Sequence, residues 1–139
     1  MHCLQFSYYR HNIVQFSENG FTSSIHILIT YPDLAICLLD FSCFVVLELC
    51  CNQLTGSIPE EMGSLKRLTV IALQSNKLDG EIPSSLGKLE MLRRLDLGFN
   101  NFFGPIPATV ANASQLQVLD VRNNSLSGMV PSGRFCFFV

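Results

Sequence analysis

Asn52, Asn76, Asn100 and Asn124 recur at one constant step (76 − 52 = 100 − 76 = 124 − 100), and Gly56, Gly80, Gly104 and Gly128 keep it, as do Pro59, Pro83, Pro107 and Pro131. Apolar residues follow this clock in Leu47/Ile71/Leu95/Leu119, Leu49/Leu73/Leu97/Val121, Leu54/Leu78/Phe102/Leu126 and Ile58/Ile82/Ile106/Val130. A fixed period of this size does not fit a fold with one central core. It describes a solenoid, in which each coil buries its apolar side only by stacking on its neighbours. The repeat occupies residues 44–131, and residues 1–43 and 132–139 stand outside it.

One coil can be read physically from Leu92 to Pro107, LRRLDLGFNNFFGPIP. Polar and apolar residues alternate from Arg94 to Gly98, which predicts a short strand with Leu95 and Leu97 turned inward. Asn100 follows where the chain must turn. An inward Asn can satisfy backbone groups of the turn, and stacked copies would make a ladder of such bonds. Phe102 returns to the core. Gly104 permits a backbone conformation that other residues resist. Pro107 ends regular pairing after Ile106 and leads into a short helical or 3-10 turn.

The pattern L-x-x-L-x-L-x-x-N-x-L, with the tails LTGSIP, LDGEIP, FFGPIP and LSGMVP, resembles the plant-specific class of leucine-rich repeats. That class is found in ectodomains of plant receptor-like kinases and in plant cell-wall inhibitor proteins. The resemblance implies an α/β solenoid of about four 24-residue coils over residues 44–131. Parallel strands would line its concave face, with short helical or 3-10 turns on the other side. It also implies a non-enzymatic module that binds a peptide or protein, or a co-receptor with leucine-rich repeats, in recognition or signalling. The location implied is the plasma membrane or its extracellular face. On this reading the chain is part of a receptor ectodomain. The alternatives are a truncated product with no independent activity and an inhibitor of a cell-wall enzyme.

The flanks carry none of this order. Residues 1–24 are rich in Tyr, Phe and Ser, with Arg10 as the one basic side chain besides His. They lack the apolar run of a secretory signal. From Leu28 to Leu47 eleven residues are Leu, Ile, Phe or Val, enough to raise the question of membrane contact. Asp33 and Asp40 oppose it, at about 2.5–3.5 kcal/mol each near a membrane centre, and Pro32 adds a break. An apolar cover for the first coil is the favoured reading. Six cysteines, Cys3, Cys37, Cys43, Cys50, Cys51 and Cys136, form no C-x-x-C pair and no zinc spacing with His, so unpaired thiols are expected. The paired cysteines that flank the first repeats of the family's plant ectodomains have no counterpart here. The last residues, SGRFCFFV, resemble neither a further coil nor a polar cap.

Chemistry is excluded more easily than binding. His2, His11 and His26 all lie outside the repeat, so none can activate a nucleophile borne on its strands. Glu60 and Glu61 follow Pro59 and suit the start of a helical turn. No phosphate loop and no kinase catalytic segment occurs, and no cofactor or metal is expected. A net charge of −2, with Lys66-Arg67 and Arg93-Arg94 as isolated basic pairs, argues against nucleic acid.

The candidate binding residues are the outward strand positions: Val46, Glu48 and Cys50; Val70, Ala72 and Gln74; Arg94, Asp96 and Gly98; Val118, Asp120 and Arg122. Cys51, Ser75, Phe99 and Asn123, each just before a ladder Asn, extend that face. Arg94, Asp96, Phe99, Asp120 and Arg122 form its most distinctive part, since Arg and aromatic residues are natural anchors for a protein partner. Two sequons, Asn112-Ala113-Ser114 and Asn123-Asn124-Ser125, offer Asn112 and Asn123 as glycosylation sites in a secreted chain.

Overall fold

The computed structural model describes Ile13–Gln15 and residues 45–138. Among the described residues the strands are β1 (Ile13–Gln15), β2 (Val46–Glu48), β3 (Thr55–Gly56), β4 (Val70–Ala72), β5 (Lys77–Leu78), β6 (Arg94–Asp96), β7 (Phe103–Pro105), β8 (Val118–Asp120), β9 (Ser125–Ser127) and β10 (Cys136–Phe138). Six of them form one parallel sheet in the order β1-β2-β4-β6-β8-β10. The repeat columns are its registers: Val46, Val70, Arg94 and Val118 are partners, as are Leu47, Ile71, Leu95 and Leu119. One sequence period is therefore one step across the sheet.

After each strand the chain turns through a left-handed residue. Cys51, Ser75, Phe99 and Asn123 have φ of 60°, 59°, 56° and 52°. That conformation is uncommon for side chains other than Gly, Asn and Asp. The turn holds because the next residue closes it. Asn76 Nδ2 donates to the carbonyls of Leu73 (3.0 Å) and, one coil back, Leu49 (2.9 Å), while its Oδ1 accepts the Leu54 N–H (3.0 Å). Asn100 and Asn124 repeat this with Leu73 and Leu78, and with Leu97 and Phe102. The sequence columns of Asn are thus a hydrogen-bonded ladder along the solenoid. Beyond it, Gly56, Gly80, Gly104 and Gly128 all have positive φ. Second extended segments pair β3 with β5 and β7 with β9, and a bridge between Glu81 and Phe103 links the two ribbons.

Pro59, Pro83 and Pro107, all extended, lead into the 3-10 turns Glu60–Ser64, Ser84–Lys88 and Ala108–Asn112. These turns stack closely enough that a Cβ at Gly63 would overlap the Ser85 carbonyl, and one at Gly87 that of Thr109. Inward residues of all three segments, among them Leu73, Leu97, Phe102, Leu86 and Leu89, merge into one continuous core.

The tail carries a strand that its sequence alone did not suggest. Cys136–Phe138 is a parallel strand in register with Val118–Asp120, at a step (136 − 118) shorter than the repeat. Phe135 and Phe137 pack against the core while Cys136 and Phe138 face outward. This period-2 alternation supplies a strand without the Asn or Leu columns, and the apolar end of the fourth coil gives it something to cover. At the other edge β1 pairs with β2 at a step (46 − 13) longer than the repeat. Residues 16–44 lie outside the described residues. So do Cys3, Cys37 and Cys43, the region read for a secretory signal, and the part of the apolar stretch before Val45. The end of that stretch, Val46–Leu47, is in β2. Among the described residues no helix is long and apolar enough to cross a membrane.

Candidate functional site: the outer face of the parallel sheet

Strand alternation and register place side chains in rows across the sheet. One row runs Val46, Val70, Arg94, Val118 and Cys136, the next Glu48, Ala72, Asp96, Asp120 and Phe138. Cys50, Gln74, Gly98 and Arg122 continue past the strand ends, held by bonds such as Leu97 N–H to the Asp120 carbonyl (2.8 Å) and Phe99 N–H to that of Arg122 (2.7 Å).

All the predicted face residues sit on this surface, but they are not equally open. Ala72, Asp96 and Asp120 are only 5%, 5% and 8% exposed. They form the floor. Ala72 is too short to rise between Glu48 and Asp96, and the two aspartates are covered by arginines from their own strands. Arg94 Nη2 meets Asp96 Oδ2 at 2.9 Å, and Arg122 Nη2 meets Asp120 Oδ2 at 2.6 Å. Gly98 adds to the floor, its N–H donating to Asp96 Oδ1 at 3.3 Å. Val70, Val118 and Gln74 are half-buried, whereas Arg94, Arg122, Asn123 and Phe99 stand up from the surface, Phe99 with 52% of its area exposed.

Asp120 is held more tightly than Asp96. Its Oδ1 accepts from both the Arg122 backbone N–H and Nε, each at 3.1 Å. Burial pushes its carboxyl upward, but the hydrogen bonds and charge of Arg122, helped by Arg94, outweigh that and leave it below its ordinary 3.8. A carboxyl depressed on folding stabilises the fold above its ordinary pKa and loses that contribution as pH falls through the folded value. Asp120→Asn is therefore expected to lower stability at neutral pH, and its gap from the native chain should close as pH drops below about 3.8. Urea unfolding of both chains across the acid range checks this.

Sequence reasoning missed two exposed aromatic positions. Phe138 receives the Arg122 guanidinium over its ring at 5.3 Å, so the tail strand extends the Arg-rich end of the face. Its signal was the alternation in Phe135-Cys136-Phe137-Phe138. Phe103 is half exposed in a column otherwise held by Thr55, Asp79 and Ser127, where an aromatic residue is out of pattern. The sequons fall apart in space. Asn112 is exposed at the end of the Ala108–Asn112 turn, whereas Asn123 occupies the left-handed turn beside ladder residue Asn124. Cys50, Cys51 and Cys136 are free thiols. Among the described residues no group of three or more His, Cys, Asp or Glu converges to hold a metal.

The pattern of the family described as Leucine rich repeat matches residues 45–102, and that of Leucine Rich Repeat matches residues 115–135. The chain belongs to the leucine-rich repeat family. No curated protein matches it. Among solved structures, this leucine-rich repeat chain is similar to the BIR2 ectodomain from Arabidopsis thaliana, at 30% identity and a TM-score of 0.72 over 85% of this chain and 57% of that one. It is similar to the Arabidopsis receptor kinase HAESA, in complex with the peptide hormone IDA and the co-receptor SERK1, at 36% identity and a TM-score of 0.74. That match spans 86% of this chain and 19% of the other. The ectodomain of the Arabidopsis thaliana plant membrane receptor kinase GASSHO1/SCHENGEN3, in complex with CASPARIAN STRIP INTEGRITY FACTOR 2, gives 29% identity and a TM-score of 0.78 over 91% of this chain and 15% of that one. The chain therefore spans between 15% and 57% of these relatives.

Proposed function

We propose that this chain is a non-enzymatic recognition module of the plant receptor type, which binds an extended peptide on the outer face of its parallel sheet at the plasma membrane or its extracellular side. The observation that carries the reading is the composition of that face. Ion-paired arginines, Arg94 and Arg122, and the exposed Phe99 stand over a floor of Ala72, Gly98, Asp96 and Asp120, beside the half-buried apolar Val70 and Val118. Planar cations, an aromatic anchor and a flat, partly apolar floor suit a chain that lays down both backbone and side chains. Support comes also from two of the similar structures, HAESA with a peptide hormone and a co-receptor, and GASSHO1/SCHENGEN3 with CASPARIAN STRIP INTEGRITY FACTOR 2. A co-receptor with leucine-rich repeats is the second partner this supports.

The test is a peptide selected from a random displayed library for binding to the chain, then titrated against variants. Phe99→Ala should weaken it by about 2 kcal/mol, as loss of an interface anchor does, and Arg94→Ala should weaken it too. Ser84→Ala, on a 3-10 turn, should leave it unchanged. Selected peptides that ignore Phe99 and Arg94 but respond to Ser84 would move the site off the sheet and sink the proposal.

A further inference from the structure

The first coil departs from the others at the end of its strand. Where later coils place Gln74-Ser75, Gly98-Phe99 and Arg122-Asn123, it has Cys50-Cys51. Adjacent side chains on a strand point to opposite faces and cannot act on one ligand. Here the left-handed turn at Cys51, φ 60°, breaks that alternation. Their backbone is pinned on both sides. Cys51 N–H donates to the Gln74 carbonyl at 3.0 Å, and Asn52 Nδ2 donates to the Cys50 carbonyl at 2.9 Å. Cys50 is half-buried and Cys51 exposed, so the pair is reachable from solvent. Beside Cys50, just past the end of β4, stands Gln74, whose Oε1 is buried with no hydrogen-bond donor. A buried acceptor without a donor is costly and points to a group that would supply one.

We propose that Cys50 and Cys51 form a vicinal dithiol site for trivalent arsenic oxyacids, with Gln74 as the orienting acceptor. Zinc and its relatives want four ligands, and no third His, Cys, Asp or Glu converges here among the described residues. Trivalent arsenic is satisfied by two sulfurs and one oxygen. Arsenous acid exchanges two of its hydroxyls for the two sulfurs: two S–H and two As–O bonds break, two As–S bonds form, and two waters leave. Arsenic stays trivalent and no electrons move. The remaining As–OH then has Gln74 Oε1 to donate to. Burial, followed by the neighbouring Cys51 thiol and the charge of Glu48, raises the Cys50 thiol above its ordinary 9.0, so Cys50 meets its ligand protonated and its exchange releases water rather than a proton.

The experiment uses the full reduced chain, arsenite as probe, and excess glutathione as monothiol competitor. Cleavage after Glu48 and Glu60 isolates Leu49–Glu60, whose cysteines are Cys50 and Cys51 alone, so mass spectrometry locates bound arsenic in the native chain. One arsenic per chain is expected on that segment, stable to glutathione and removed by a small dithiol. Cys50→Ser or Cys51→Ser should abolish it, and Cys136→Ser should not change it. Because a prearranged pair loses less freedom on binding, affinity should fall about tenfold when urea unfolds the chain. Gln74→Met should cost about fivefold for arsenite, the worth of one hydrogen bond, and nothing for phenylarsine oxide, which keeps no hydroxyl once bound. Arsenic found on another cysteine, equal affinity in the folded and unfolded chain, or displacement by glutathione would overturn the site. Indifference to Gln74→Met would remove that residue from it.

Discussion

Replacing Asn100 with alanine is expected to destabilise the fold by about 3 kcal/mol, on the order of two lost buried hydrogen bonds and one orphaned donor. Asn100 is 7% exposed and lies in the middle of the ladder. Its Oδ1 is the acceptor for the Leu78 N–H at 3.0 Å, and its Nδ2 donates to Leu73 and Leu97 at 2.9 Å and 3.1 Å. Alanine leaves the Leu78 N–H buried without a partner, and the left-handed Phe99 beside it loses the bonds that close its turn. The effect should appear in urea unfolding as a lower midpoint at unchanged slope. Asn124→Ala should cost less, because Asn124 is only partly buried and water can reach the groups it leaves. Asn100→Asp separates the two ends of the amide: it keeps an acceptor for Leu78 but turns a carboxylate toward the Leu73 and Leu97 carbonyls. It should be at least as damaging as alanine. A loss below about 1 kcal/mol for Asn100→Ala, the worth of one ordinary hydrogen bond, would mean that the backbone closes the turn unaided.

The ladder also marks how far the sequence could be read. Strand, inward Asn and positive-φ glycine were legible because each is a local demand repeated four times at one spacing. The strand face was legible only as alternation. Alternation says which way Asp96 and Asp120 point but not that Arg94 and Arg122 fold over them, since that depends on how side chains on the same side of one strand lean toward each other. The close stacking at Gly63 and Gly87 was equally in the sequence, as a column completed by Ala111, yet it carries no signal until the carbonyls of Ser85 and Thr109 are in place. The tail strand was missed because its shorter offset breaks the clock that identified the others. Its remaining signal, alternate Phe residues, is short and weak.

Phe102→Ala is expected to be the most damaging single truncation, at about 3–5 kcal/mol for emptying a fully buried aromatic site. Phe102 is 0% exposed in a column otherwise filled by Leu54, Leu78 and Leu126. Its backbone is fixed on both sides: its N–H donates to Asn124 Oδ1 at 3.0 Å, and its carbonyl accepts the Ser125 N–H at 2.8 Å. The coil therefore has little freedom to collapse around the hole. Phe102→Leu restores the side chain of the other coils and should cost less than about 1.5 kcal/mol, as apolar swaps near the same volume do. Phe103→Ala, one residue along but half exposed, should stay within about 0.5 kcal/mol and serves as the surface control. Where the cost falls also matters. In a solenoid, stability is a sum of coil and neighbour terms, so a defect in the third coil weakens the coupling of the fourth and of β10 to the rest. The Phe102→Ala chain should then unfold with a shallower denaturant slope as well as an earlier midpoint, β8 and β10 loosening first. Hydrogen exchange at the β8 and β10 amides would show it. Uniform loss of protection from β2 to β10 would instead make the chain one cooperative unit, and the defect in coil three would be felt equally at the far side of the parallel sheet.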